Sequence, residues 1–200
     1  MTSRFNIFWA LIIAAFVAAG CNKMDDYVTT QESNFERYLS NNKVIDREDY
    51  DPEEEVTGAI VKFYDRIDGV YRWITNESRE DRPAQSEALE MGDSLYIYFD
   101  AWIFEGTRKK QVFYTNKKNT LTSRFPNLDT EYWSTDSLGI KLGDGQLMKS
   151  MESAFVGCCE GDEVEFMLTT DKAYGKRPMG VVPQYSPVAF VVTINAISKQ

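Results

Sequence analysis

Histidine is absent from all 200 residues. That gap removes a histidine general base, a Ser-His-Asp triad and most zinc sites, so neither a metal nor another cofactor is expected. Cysteine is scarce: Cys21, Cys158 and Cys159 are the whole set, with no C-x-x-C pattern to hold a metal or run redox chemistry. The adjacent pair leaves two readings open, apolar packing behind a helix or a strained vicinal disulfide. Basic side chains number 22 against 31 acidic ones, a net charge of −9. A chain of this sign repels phosphate backbones, and no basic stripe interleaved with aromatics offsets it, so nucleic acid is not an expected partner. Internal repeats and low-complexity tracts are also missing.

What is present is apolar. The chain is 43% hydrophobic and 14% aromatic, enough to bury a core in one domain with an extension. Arg4 and the run Ile7–Ala18 form a short positive segment and an apolar stretch too short to span a bilayer comfortably. The run ends in Val17-Ala18-Ala19-Gly20-Cys21, which resembles a bacterial lipobox. That resemblance implies a lipoprotein signal peptide over residues 1–20, cleavage after Gly20 and lipid (palmitate-type) attachment at Cys21. At about 0.8 kcal/mol per buried methylene, several acyl chains would hold the protein on a membrane without a spanning helix. Asp25-Asp26 resembles the cue by which Bacteroidota-type lipoproteins reach the outer face of the outer membrane. The expected location is therefore the cell envelope, as an outer membrane lipoprotein that is periplasmic or surface-exposed. Loss of Arg4 with residues 1–20 leaves 21 basic against 31 acidic side chains, a net charge of −10.

Residues 21–55 read as a tether carrying one helix. Gln31–Asn41 puts Phe35, Tyr38 and Leu39 on one stripe among charged residues, a face expected to dock on the domain, with a partner-binding helix as the alternative. Asp46–Glu55 is acidic, contains Pro52 and reads as a solvated connector. The domain is expected over residues 56–200. Ala59–Tyr64 and Gly69–Thr75 flank Asp65–Asp68 as a hairpin, and Asn76–Glu87 is a polar loop. Ser94–Phe104 then alternates: Leu95, Ile97, Phe99, Ala101 and Ile103 point one way, Tyr96, Tyr98, Trp102 and Phe104 the other. Each of the outer four can bury well over roughly 100 Å², so residues 30–55 are expected to fold back over that face. Thr115–Thr135 reads as a long polar loop.

Leu138–Phe190 organises the rest. Turn chemistry at Leu142-Gly143-Asp144-Gly145 hands over to a one-sided helix, Gln146–Phe155, in which Leu147, Met148, Met151, Ala154 and Phe155 recur at helical spacing. Gly157 and Glu160-Gly161-Asp162 stop it. Val164, Phe166 and Leu168 alternate as in a strand with one buried face, and Phe190, Val192 and Ile194 share a face of Val188–Ile197. The ordered set Leu142-Gly143, Gly161, Ala173-Tyr174-Gly175, Gly180-Val181-Val182-Pro183 and Phe190 resembles the FKBP-type peptidyl-prolyl cis-trans isomerases.

The resemblance implies an α+β fold, a curved antiparallel sheet wrapped around one short amphipathic helix, here with an N-terminal helical extension. It places Phe99, Phe113, Leu147, Met148, Met151, Tyr174, Val181, Val182 and Phe190 in a substrate-binding pocket. Leu138 falls at a further pocket Phe, and Tyr114 at a pocket Asp. The Tyr174 hydroxyl and the Met148 N–H would hold substrate carbonyls. The departures that matter are Met151 in place of a Trp floor, Tyr114, which removes a carboxylate, and Phe99, which removes a hydroxyl. Isomerase activity is thus expected to be reduced relative to close members. Rotation about the X–Pro bond crosses roughly 18–20 kcal/mol without any nucleophile, so a histidine-free chain can catalyse it by shape and desolvation. The expected role is a lipid-anchored isomerase or folding helper acting on proline-containing proteins of the envelope. The alternatives are a catalytically weak or inactive module that binds a partner in a cell-surface complex, and a pocket that captures a small apolar ligand.

Overall fold

The computed structural model describes residues 23–51, 61–128 and 133–200. Residues 1–22, with Cys21 and the signal peptide, lie outside these, as do Ala59, part of the acidic connector and Tyr132. A helix over residues 23–41 (α1) leads to strand β1, Val44–Asp46. Then follow β2 (Lys62–Ile67), β3 (Val70–Ile74), β4 (Ser94–Glu105), β5 (Arg108–Thr115), α2 (Lys118–Arg124), β6 (Leu138–Lys141), α3 (Lys149–Phe155), β7 (Glu163–Leu168) and β8 (Val188–Ser198). The eight strands form one sheet in the order β1-β2-β3-β7-β8-β4-β5, with β6 paired to β4 beside β5. The sheet is mixed rather than wholly antiparallel, because β1 runs parallel to β2.

The β2–β3 hairpin turns on Asp68 and Gly69, both at positive φ, which closes the strands in two residues and lengthens β2 past the expected turn at Asp65. One face of the sheet holds the larger core. There Leu95, Ile97, Phe99 and Ala101 of β4 meet Met151, Ala154 and Phe155 of α3 and Val164, Phe166 and Leu168 of β7. The helix is shorter than its apolar spacing predicts. Met148 is extended (φ −61°, ψ 134°), so Leu147 and Met148 precede α3 instead of opening it.

The other face is covered by α1. Phe35 and Leu39 are fully buried among Tyr71, Phe104 and Met167, and the Phe35 ring stands edge-on to Tyr71 and Phe104 at 5.4 and 5.0 Å. Each such side chain contributes roughly 1.5–3 kcal/mol of burial. The fold-back of the N-terminal segment is therefore found, and it buries both faces of β7 where one was expected. Its reach is shorter than expected: Trp102 and Phe104 join the covered cluster, whereas Tyr96 is exposed.

Cys158 and Cys159 are free and fully buried, so of the two readings of that pair it is packing that holds. Burial pushes the Cys158 thiol up to about 12. Beside them Asp162, with no exposed surface, takes Arg82 at 3.0 Å, Arg79 and the Cys159 N–H at 2.8 Å, which ties the polar loop over 76–87 to the turn after α3. The segment read as one long loop contains α2, a seven-residue helix with Leu121 as its one buried residue and no side-chain cap, too faint a pattern to show.

Candidate functional site

Where α3 faces β4 and β8, a hollow of about 290 Å³ opens to the surface. Met151, Ile97 and Val192 lie deepest, each at most 2% exposed. Phe99 and Phe190, buried, and Tyr174, half-buried, form the walls. Leu147, Met148, Gln146, Leu138 and Tyr114 complete the lining, the last two exposed at its rim. The volume sits at the lower edge of the roughly 300–1,000 Å³ of small-molecule sites, which suits one ring or side chain and its flanking peptide.

The chain builds this hollow for identifiable reasons. Partners of β4 change along its length: β6 pairs with Ser94–Ile97 and β5 with Asp100–Glu105. At the gap, Asn116 accepts the Phe99 N–H at 2.7 Å and donates to the Ile97 carbonyl at 3.0 Å and the Asp136 carbonyl at 2.9 Å. Thr115 adds a hydroxyl to the Phe99 carbonyl at 3.1 Å. The Phe99 ring is thereby fixed where the strand would otherwise have unpaired backbone. On the opposite side the extended Leu147 and Met148, held off the helix by the positive-φ Gly145, reach the lining.

Six of the nine residues expected in the pocket come together in it: Phe99, Leu147, Met148, Met151, Tyr174 and Phe190. Phe113 stands behind them, its ring 6.3 Å from Tyr174 and 6.4 Å from Phe190, a buttress outside the lining. Val182 is 1% exposed within the main core, and Val181 points the other way at 60% exposed. Leu138 and Tyr114 are at the rim. Ile97 and Val192 were legible only as core, and Gln146 only as a helix residue; its Oε1 accepts the Lys141 N–H at 2.8 Å. Trp133 does not enter the hollow. It stacks edge-on to Tyr114 at 5.2 Å and donates Nε1 to the Thr115 carbonyl at 2.8 Å.

Polar capacity at the hollow is small and uncommitted. The Tyr174 hydroxyl and the Met148 N–H donate to nothing among the described residues. Burial raises the Tyr174 hydroxyl above its ordinary range, so it remains a proton donor at neutral pH. An apolar cup with two free donors can desolvate an imide and hold the carbonyls on either side of it.

A single sheet with a short helix across one face, and an apolar hollow between them, defines the α+β architecture that the resemblance implied. The sequence model described as FKBP-type peptidyl-prolyl cis-trans isomerase matches residues 85–195, and the chain belongs to that family. FK506-binding protein 2 of Podospora anserina is 27% identical over 91 residues, covering 46% of this chain and 49% of that protein. FK506-binding protein 2 of Aspergillus oryzae is 26% identical over 96 residues, covering 46% of this chain and 72% of that protein. The chain thus spans about half the length of the first of these relatives. Among solved structures, the three FKBP domains of wheat FKBP73 share the fold, with a TM-score of 0.52 at 14% identity over 70% of this chain and 52% of that one.

Proposed function

We propose that this chain is a peptidyl-prolyl cis-trans isomerase that helps fold proline-containing proteins of the cell envelope, held on the outer membrane by lipid at Cys21. What carries the catalytic part is the pairing of an apolar hollow with two uncommitted donors, Tyr174 and Met148. A proline ring seated against Met151 and Phe99 leaves its imide in a dry environment. The planar amide, with its charge separation, loses more from lost water than the twisted one, so the barrier falls. The Tyr174 hydroxyl and the Met148 N–H hold flanking carbonyls while the bond turns. No bond to the protein forms.

The anchor rests on the sequence, on the apolar run and the small residues before Cys21. Among the described residues no helix is long and apolar enough to cross a membrane. A second reading is favoured by one observation: Tyr114 and Leu138 leave the rim apolar and exposed, a surface suited to gripping a partner protein with little turnover. A coupled assay on a Phe-Pro peptide separates the two. Under the first, wild type exceeds buffer, and Tyr174→Phe lowers kcat/KM about 3- to 10-fold, the worth of one hydrogen bond. Peptide binding without rate enhancement would favour the second. For the anchor, Cys21→Ser should move the protein from the membrane to the soluble fraction.

A further inference from the structure

The loop that joins β7 to β8 carries Tyr174, yet among the described residues nothing bonds to that side chain's polar end. Its position comes from the Phe113 ring behind it and from the backbone around it. Four hydrogen bonds close a ring there: Thr170 N–H to Gln31 Oε1 at 2.7 Å, Gly175 N–H to the Thr170 carbonyl at 2.8 Å, Tyr185 N–H to the Gly175 carbonyl at 2.8 Å, and Gln31 Nε2 to the Tyr185 carbonyl at 2.9 Å. Tyr174 sits in the turn that the second of these bonds closes, one residue before Gly175. Gln31 is the sole member from outside the loop, and it comes from α1, outside the residues 85–195 that define the family match.

We infer that Gln31 is a positioning residue for the hollow: through this ring α1 sets the place of Tyr174, and so makes the N-terminal helix part of the binding site. Three observations support it. Gln31 is a polar residue only 6% exposed on a docked helix, and both ends of its carboxamide are used. Thr170 is wholly buried, so its N–H has no recourse to water if Gln31 is removed. Tyr185 holds φ at +62°, a region a bulky residue occupies only when its surroundings force it, and α1 supplies that force twice: through Gln31 and through Tyr27, whose ring stacks on Tyr185 at 5.0 Å. A carboxamide that accepts from one end of the loop and donates to the other fixes the loop's span, which a hydrophobic contact cannot do.

The effect on turnover rests on the isomerase reading; the effect on the loop does not. The test therefore has two arms on the full chain. In the first, amide exchange by NMR should rise about tenfold or more at Gly175 and Tyr185 in Gln31→Ala relative to reference amides of β4 and β8, since a local opening has been made cheaper without global unfolding. Tyr27→Ala, which leaves the ring intact, should move the same two amides less, and Thr30→Ala, an exposed neighbour, not at all. In the second, Gln31→Ala should raise the KM for a Phe-Pro peptide about fivefold with kcat changed less than twofold, as expected when a bound carbonyl loses a pre-set partner. If exchange at Gly175 and Tyr185 rises no more than at the reference amides in Gln31→Ala, or rises less there than in Tyr27→Ala, the inference is overturned. If wild type turns over no peptide, the isomerase reading fails, and the exchange arm alone decides the positioning role.

Discussion

Asn116 and Phe99 are joined twice, by the Phe99 N–H to Asn116 Oδ1 at 2.7 Å and by the Asn116 N–H to the Phe99 carbonyl at 3.3 Å. The carboxamide stands in for a strand at the place where β4 exchanges one neighbour for another. Asn116→Ala would leave the buried Phe99 N–H without its acceptor and take one donor from the Ile97 carbonyl, a cost of about 2–4 kcal/mol. Urea unfolding of the variant should show that loss with an unchanged m value. Because Phe99 walls the hollow, peptide affinity should fall as well.

The docking of α1 gives a second test. Tyr38 donates to Glu165 Oε2 at 2.9 Å, and Lys109 reaches the other oxygen of the same nearly buried carboxylate. Tyr38→Phe removes one of these and should cost about 1.5–3 kcal/mol, the worth of a hydrogen bond to a charge. Phe35→Ala opens a cavity against Tyr71 and Phe104 and should cost about 3–5 kcal/mol. Removing α1 altogether should expose the aromatic face of β4 to a hydrophobic dye; unchanged thermal stability without new dye binding would contradict the packing described.

Asp162 makes stability depend on acid. Burial alone would raise its carboxyl, but Arg82, the Cys159 N–H and Arg79 overcome that and hold it below the usual carboxylate range. The native state then binds this proton less readily than the unfolded chain does. Its contribution is complete above the ordinary carboxylate value of about 4 and is lost as pH falls through the lower native value. At pH 7, Asp162→Asn should be less stable than wild type by roughly 3 kcal/mol, since it strands two partly buried guanidinium groups. Measured toward pH 2, that gap should narrow.

The buried cysteines should be inert while the chain is folded. Burial raises both thiols, and the thiolate is the reactive form. Labelling of Cys158 and Cys159, located by mass spectrometry, should be slow in native protein and rapid in denaturant. A disulfide-linked pair from mildly oxidised native protein would contradict it.

Much of this was readable in the chain. Alternation along β4 gave both faces correctly because one face meets α3 and the other α1, and six of the nine pocket positions fell into place from the resemblance. What did not show has local causes. The helix was expected only from Gln31, and the earlier turns of α1, residues 23–30, were hidden because they are mostly exposed and bury no apolar stripe. Leu147 and Met148 fit a helical period but are drawn out by the turn before them. Glu165 read as a solvent residue because its partners, Tyr38 and Lys109, come from distant parts of the chain. Asn116 carried no signal, since its role depends on a gap between two strands.

Under the proposed function, the hollow around Met151 turns prolyl bonds. Two-dimensional exchange NMR on a Phe-Pro peptide with substoichiometric protein measures this directly, because the uncatalysed step takes tens to hundreds of seconds. Exchange cross-peaks are expected on the sub-second scale, weakened in Tyr174→Phe, with shifts at Phe99, Met151 and Tyr174. Exchange no faster than in buffer, from a folded protein, would contradict it.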